Sequence, residues 1–149
     1  MLEVQIFTLY PDLYPGLLDI GIYKKAQEKQ KWSLKIIDIR DYAFDDNQTV
    51  DDTPFGGGSG MLLKPDVVAS ALDKNIKGKE KIIYLSPKGK KLDQKEVKYL
   101  SKLSKINILC GHFEGVDQRL LETRNIEEYS IEILFYLEVK AHHLYLSMH

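Results

Sequence analysis

The sequence is short of cysteine, of long apolar runs and of net charge, and each shortage excludes something. It has one cysteine, Cys110. A single thiol rules out an internal disulfide framework, argues against a structural zinc site and suits a reducing compartment. No apolar run approaches the roughly 20 residues that a membrane helix needs. The N-terminus, Met1-Leu2-Glu3-Val4, has no basic region followed by an apolar stretch, so no signal peptide is expected and the cytoplasm is the expected location. The formal net charge is −1, which by itself argues neither for nor against a nucleic-acid partner.

What is present describes one domain. The chain has 149 residues, 44% hydrophobic and 29% charged, enough for one real core and too little for two. The charge is unevenly spread. Between Lys74 and Lys105 the balance is +8, against −9 for the remaining residues. Such asymmetry fits either a phosphate-binding face or ordinary solvated lysines.

Apolar segments rich in β-branched residues alternate with helical patterns. Strands are predicted over Glu3–Leu9, Trp32–Ile39, Lys81–Leu85 and Lys105–Leu109. Pro15-Gly16 is expected to open a helix running to about Lys29, with Leu17, Leu18, Ile20 and Ile22 toward the core. Pro65 suits the first turn of another helix, with Val67, Val68, Ala71 and Leu72 as its stripe. Asp93-Gln94-Lys95-Glu96 resembles a capping box ahead of a helix whose apolar face is Val97, Leu100 and Leu103. A short helix is predicted over Val116 to about Arg124, and Glu127–Ile131 leads into the last segment. This alternation predicts an α/β fold, a mostly parallel sheet with helices on both faces.

Two places interrupt the regular pattern with chemistry. Arg40–Leu63 has no clear period and contains Thr53-Pro54-Phe55-Gly56-Gly57-Gly58-Ser59-Gly60-Met61. It lacks the Gly-Lys-Ser/Thr ending of a P-loop and the spacing of a dinucleotide fingerprint. A backbone cradle for an anion or nucleotide and a plain linker both fit. The second place is Lys105–Asp117, where a buried strand stops at Cys110-Gly111 and His112, Glu114 and Asp117 follow. In open α/β sheets ligands bind beyond the carboxyl ends of strands, and a glycine there permits close approach to the backbone. An ordinary strand–turn–helix corner fits the same residues. Ser86-Pro87-Lys88-Gly89 is turn chemistry expected to end the Lys81–Leu85 strand. If that strand neighbours Lys105–Leu109, the two loops share one crevice. His142-His143 lacks a third partner for a metal.

Three motifs occur together and in order: Asp51-Asp52-Thr53-Pro54-Phe55-Gly56-Gly57-Gly58-Ser59-Gly60-Met61, Tyr84-Leu85-Ser86-Pro87-Lys88-Gly89-Lys90-Lys91-Leu92-Asp93, and Cys110-Gly111-His112-Phe113-Glu114-Gly115-Val116-Asp117. With Phe7, Tyr10-Pro11 and Asp19-Ile20-Gly21, they resemble the bacterial tRNA (guanine-N1-)-methyltransferases of the SPOUT class, which methylate guanosine 37 of tRNA. The resemblance covers residues 1–131. It implies a trefoil knot near the C-terminal side of the sheet, a homodimer, and S-adenosylmethionine as methyl donor. It places Tyr84, Leu85, Ser86 and Pro87 on the first wall of the cofactor pocket and Gly111 against the cofactor. Glu114 would lie beside the cofactor or a magnesium ion, and Ser130 and Ile131 would begin the third cofactor loop. The loop Gly56, Gly57, Gly58, Ser59, Gly60 would lie near the tRNA guanosine. Methyl transfer from a sulfonium needs alignment of donor and acceptor and loss of the N1 proton to a carboxylate.

The pattern departs from the family at two points. His112-Phe113 stands where relatives commonly carry Arg-Tyr. After Ile131 the family reads Gly-Asp-Phe/Tyr-Val-Leu-Ser-Gly-Gly-Glu, whereas here Glu132–Lys140 reads Glu-Ile-Leu-Phe-Tyr-Leu-Glu-Val-Lys. A coding string for the family segment, shifted by one base, yields this replacement, so a frameshift after Ile131 is expected. On that reading residues 132–149 are an atypical tail. The family's catalytic aspartate and C-terminal tRNA-binding domain have no counterpart, no catalytic residue is assigned, and turnover is expected to be impaired or lost. The alternative is a non-catalytic chain that binds S-adenosylmethionine or RNA, or pairs with an intact copy. A SPOUT methyltransferase with another target is disfavoured by the Asp51–Met61 motif.

Overall fold

The computed structural model describes residues 1–52, 62–111 and 115–131. Its centre is a five-stranded sheet in the order β2-β1-β6-β5-β7, formed by β1 (Leu2–Thr8), β2 (Trp32–Asp38), β5 (Lys81–Lys91), β6 (Lys105–Leu109) and β7 (Glu127–Ser130). Every pairing in it is parallel. Two short strands, β3 (Asp51–Asp52) and β4 (Leu62–Leu63), pair antiparallel at the base of the glycine-rich loop. The helices are α1 (Gly21–Glu28), α2 (Pro65–Asn75), α3 (Gln94–Ser101) and α4 (Gln118–Thr123).

The helices cover both faces, as the alternation of segments requires. On one face Val67, Val68, Ala71 and Leu72 of α2 and Leu120 and Leu121 of α4 pack with Phe7, Ile82, Tyr84 and Leu109. On the other, Leu100 of α3 packs with Ile83, Ile106 and Tyr129. Neighbouring residues such as Ile82 and Ile83 divide between the two clusters because side chains alternate along a strand. A buried polar pair lies within the sheet. Gln5 Nε2 donates to Asn107 Oδ1 (3.0 Å), and Asn107 Nδ2 donates to Glu80 Oε2 (3.0 Å) and to the Lys81 carbonyl (3.1 Å).

Four expectations change. The helix from Pro15 does not run to Lys29. A 3-10 turn spans Gly16–Asp19, Ile20 is extended, and only Gly21–Glu28 is α-helical. Gly16 (φ +53°) and Gly21 (φ +58°) are in the left-handed region, which interrupts the helical path. Of the four apolar residues expected inside, Leu18 is half-buried and three face outward: Leu17 is 77% and Ile22 76% exposed, and Ile20 is also exposed.

Second, the β5 strand does not stop at Leu85. It continues to Lys91, and the Ser86–Gly89 turn chemistry appears as a slip in register instead. Third, the capping box forms by half. The Asp93 side chain accepts from the Glu96 amide at 2.8 Å, but the Glu96 carboxylate bonds to Lys90 and Tyr129. Glu96 thus takes the inward position i−4 to Leu100, and Val97 is exposed. Fourth, α4 begins at Gln118 rather than Val116, because Asp117 is its cap and accepts from the Arg119 amide at 2.8 Å.

Among the described residues no helix is long and apolar enough to cross a membrane. The knot implied by the resemblance needs chain after Ile131, and residues 132–149 lie outside the described residues.

Candidate functional site

β5 and β6 are neighbours, with Tyr84 in register with Leu109, so the segments after Leu85 and after Cys110 do open on the same edge of the sheet. β7 flanks β5 on its other side and brings Ser130 and Ile131 to that edge. Three segments far apart in sequence therefore meet at the carboxyl ends of adjacent parallel strands, where α/β sheets bind ligands.

The first wall is built around a close crossing. Leu85 and Lys90 share one register partner, Tyr129, and the four residues between them bulge out of the pairing with β7. Gly89 lies directly against β7: a Cβ there would stand 2.5 Å from the Tyr129 carbonyl carbon and 2.6 Å from its nitrogen. Only glycine fits. Within the segment Ser86 Oγ donates to Glu128 Oε2 at 2.6 Å, and the Lys88 amide donates to Ser86 Oγ at 3.1 Å. The backbone resumes its pairing at once, with the Leu92 amide donating to the Ser130 carbonyl at 2.9 Å.

The second wall is Gly111 and Gly115. The space over both is taken by the Tyr84 ring: a Cβ on Gly111 would stand 2.5 Å from the ring edge, and one on Gly115 3.2 Å from the phenol oxygen. Gly111 therefore makes room for an aromatic neighbour in addition to any ligand. Burial raises the Tyr84 phenol above its ordinary pKa, and the nearby Glu128 carboxylate adds to the rise. Leu85 and Gly111 remain exposed at the mouth. Ser130 is buried and Ile131 half-buried.

Tyr14 closes the site on the β1 side. Its hydroxyl and the Cys110 sulfur are 3.5 Å apart. Burial, then the bond to Cys110, push the Tyr14 phenol up to about 12. Burial also raises the Cys110 thiol, against the opposing pull of Tyr14.

The base of the glycine-rich loop is tied to this site. The Leu63 amide donates to the Gly115 carbonyl at 3.2 Å, and Leu63 bridges Val116. Glu114 and the loop residues Gly56, Gly57, Gly58, Ser59 and Gly60 lie outside the described residues. So does any magnesium site at Glu114; among the described residues no group of three His, Cys, Asp or Glu side chains could hold a metal.

Sequence reasoning missed Glu128, Tyr14 and the group around Tyr129. The Ser86–Glu128 bond spans 42 residues of sequence. No local pattern announces such a pair, although the polar run Glu127-Glu128-Tyr129 beside a buried strand was a usable hint.

The residues fit a flat, partly apolar cofactor with hydroxyl groups. Leu85 offers exposed apolar contact, Gly111 an exposed backbone backed by the Tyr84 ring, and Ser86 and Glu128 polar partners. Fold and site together define a parallel α/β protein in which three segments distant in sequence converge on one edge of the sheet.

A family model described as tRNA (Guanine-1)-methyltransferase TrmD matches residues 2–138, and the chain belongs to that family. The chain is 62% identical over 131 residues to the tRNA (guanine-N(1)-)-methyltransferase of Pelagibacter ubique (strain HTCC1062), covering 88% of this chain and 58% of that protein. It is 45% identical over 130 residues to the protein of the same name from Rhodospirillum rubrum, covering 87% and 54%. For the Agrobacterium fabrum protein of that name the figures are 49% over 130 residues, 87% and 56%. The chain thus spans somewhat more than half the length of the curated relatives it matches.

Proposed function

We propose that residues 1–131 are the S-adenosylmethionine-binding unit of a tRNA (guanine37-N1) methyltransferase. The observation that carries this reading is the convergence of Tyr84–Pro87, Gly111 and Ser130–Ile131 on one sheet edge, with the base of the glycine-rich loop bonded to Gly115. S-adenosylmethionine, when bound, supplies the methyl group as an electrophile. Residues of this chain bind and orient it: Tyr84, Leu85, Ser86 and Pro87 from one side, Gly111 and Glu114 from another, Ser130 and Ile131 from the third. The glycine-rich loop meets the guanosine, and a magnesium ion accompanies the cofactor at Glu114.

The tRNA is the substrate, a second copy of the chain is the partner, and the cytoplasm is the place of action. The dimer reading draws support from the exposed apolar residues Leu13, Leu17, Ile20, Ile22 and Tyr23, which cluster in sequence next to Tyr14 at the site's edge. Such a group is unfavourable facing water. A second reading, binding without turnover, is favoured by the exposed Lys88, Lys91, Lys95, Lys98 and Lys102. These would make salt-sensitive phosphate contacts without chemistry.

Calorimetric titration with S-adenosylmethionine, run beside a methylation assay on unmodified tRNA carrying guanosine 37, tests both. Binding with methylation at N1 supports the enzyme. Binding without methylation leaves the non-catalytic binder. Absence of binding refutes the cofactor assignment.

A further inference from the structure

Tyr129 is buried, 1% exposed, and packs with Ile83, Leu100 and Ile106 on the α3 side of the sheet. It therefore stands behind the cofactor wall. Its hydroxyl oxygen is 3.0 Å from Glu96 Oε2 and 3.0 Å from Glu127 Oε2. One hydroxyl hydrogen serves one acceptor at a time, so each carboxylate needs a further partner. Each has one. Lys90 Nζ is 2.7 Å from Glu96 Oε1, and Lys81 Nζ is 2.5 Å from Glu127 Oε1. Both ammonium groups also stand 5.9 Å from the centre of the Tyr129 ring, within cation–π range. Two lysines and two glutamates thus balance around one phenol.

The positions of those lysines give the cluster its meaning. Lys81 begins β5, and Lys90 is the first residue after the Ser86–Gly89 excursion. Tyr129 is also the backbone register partner of both Leu85 and Lys90. One residue therefore holds both ends of the segment that carries Ser86 and Pro87. The far end is held by the backbone pairing of Lys90 with Tyr129 and, in addition, by side chains. Lys90 is fixed by Glu96, and Glu96 is fixed on α3 by the Tyr129 hydroxyl.

We infer that Tyr129 is a positioning residue for the Ser86–Gly89 wall, acting through Glu96 and Lys90 to set where Ser86 and Pro87 meet the cofactor. This rests on the cofactor reading given above. An ordinary core tyrosine would contribute to stability alone. The chain Tyr129–Glu96–Lys90 predicts an effect on the wall that separates from stability.

The test compares the native chain with Tyr129→Phe, Glu96→Gln, the double variant and Glu127→Gln. Tyr129→Phe keeps the ring and its packing. Calorimetric titration with S-adenosylmethionine is expected to show about tenfold weaker binding for Tyr129→Phe and for Glu96→Gln, the scale of one lost charge-assisted hydrogen bond. The double variant should be little worse than either, because both substitutions break one path. Glu127→Gln, off that path, should bind within about twofold of native. Amide hydrogen exchange without cofactor should quicken at Lys88 and Lys90 in Tyr129→Phe. Native binding together with unchanged affinity in Tyr129→Phe and Glu96→Gln would overturn the positioning role and leave the cofactor reading standing. Equal losses in Glu96→Gln and Glu127→Gln, or unchanged exchange at Lys88 and Lys90, would overturn it as well. No binding by the native chain would refute the cofactor reading and the inference with it.

Discussion

Substituting alanine at Gly89 places a methyl group where β7 already stands. The added Cβ would be 2.5 Å from the Tyr129 carbonyl carbon, 2.6 Å from the Tyr129 nitrogen and 2.7 Å from the Glu128 carbonyl carbon. All three are backbone atoms of a paired strand, so no rotamer change relieves the contact. Either the Ser86–Gly89 segment lifts or β7 moves off β5. Overpacking of this kind costs about 1–3 kcal/mol, and rigid backbone neighbours favour the upper figure. At about 2–4 °C per kcal/mol for a domain near this size, Gly89→Ala should lower the melting temperature by roughly 6–12 °C. Thermal unfolding followed by circular dichroism measures this. Lys88→Ala, a neighbouring exposed position, is the control and should stay within about 0.5 kcal/mol of native. The amide of Leu92, which donates to the Ser130 carbonyl, should lose protection from exchange in Gly89→Ala alone. A melting point within about 1 °C of native, with Leu92 still protected, would refute the close crossing of Gly89 over β7.

Two further expectations concern the sheet. Asn107→Leu removes one of the two acceptors of Gln5 Nε2, leaving the Asn75 carbonyl at 3.3 Å, and two donations to Glu80 and Lys81. It should destabilise by about 1–3 kcal/mol for each buried group left unpaired. Adding Gln5→Leu, whose Oε1 has no partner already, should recover part of that loss in a urea double-mutant cycle, and strict additivity would contradict the coupling. The Glu127 carboxyl is held below its ordinary value of 4.5, first by the hydrogen bond from Lys81, against the opposing effect of burial. Its folded pKa lies below its unfolded one. Its contribution is therefore complete above about pH 4.5 and is lost as pH falls through the lower folded value. Urea midpoints measured from pH 7 to pH 3 should fall less steeply on the acid side in Glu127→Gln, and superimposable profiles would contradict the pairing.

Much of this was legible in the residues. Val67, Val68, Ala71 and Leu72 share a helical stripe, and all four are buried. Lys81–Leu85 and Lys105–Leu109 read as buried strands, and they are adjacent and parallel. The failures have particular causes. Leu17, Ile20 and Ile22 read as core because apolar spacing says only that residues share a face, not that anything covers it. Val97 read as inward because Glu96 is charged. Glu96 could take that place only because Lys90 and Tyr129 meet it there. Ser86-Pro87-Lys88-Gly89 read as the end of a strand, since nothing local shows that β7 recaptures the chain at Lys90.

The sequence by itself determined the alternation of strands and helices, the two glycine-marked interruptions and, through three linked motifs, the family. These are short-range properties of period, backbone freedom and residue order, readable without knowing where the chain returns. Only the tertiary structure decided that Tyr129 holds both ends of the Ser86–Gly89 segment, that Ser86 bonds to Glu128, and that the Tyr84 ring occupies the space Gly111 leaves. Those contacts join residues between 27 and 44 positions apart in the chain. Which distant groups meet depends on strand order, and strand order comes from burying both faces of the sheet at once, a condition no single segment encodes.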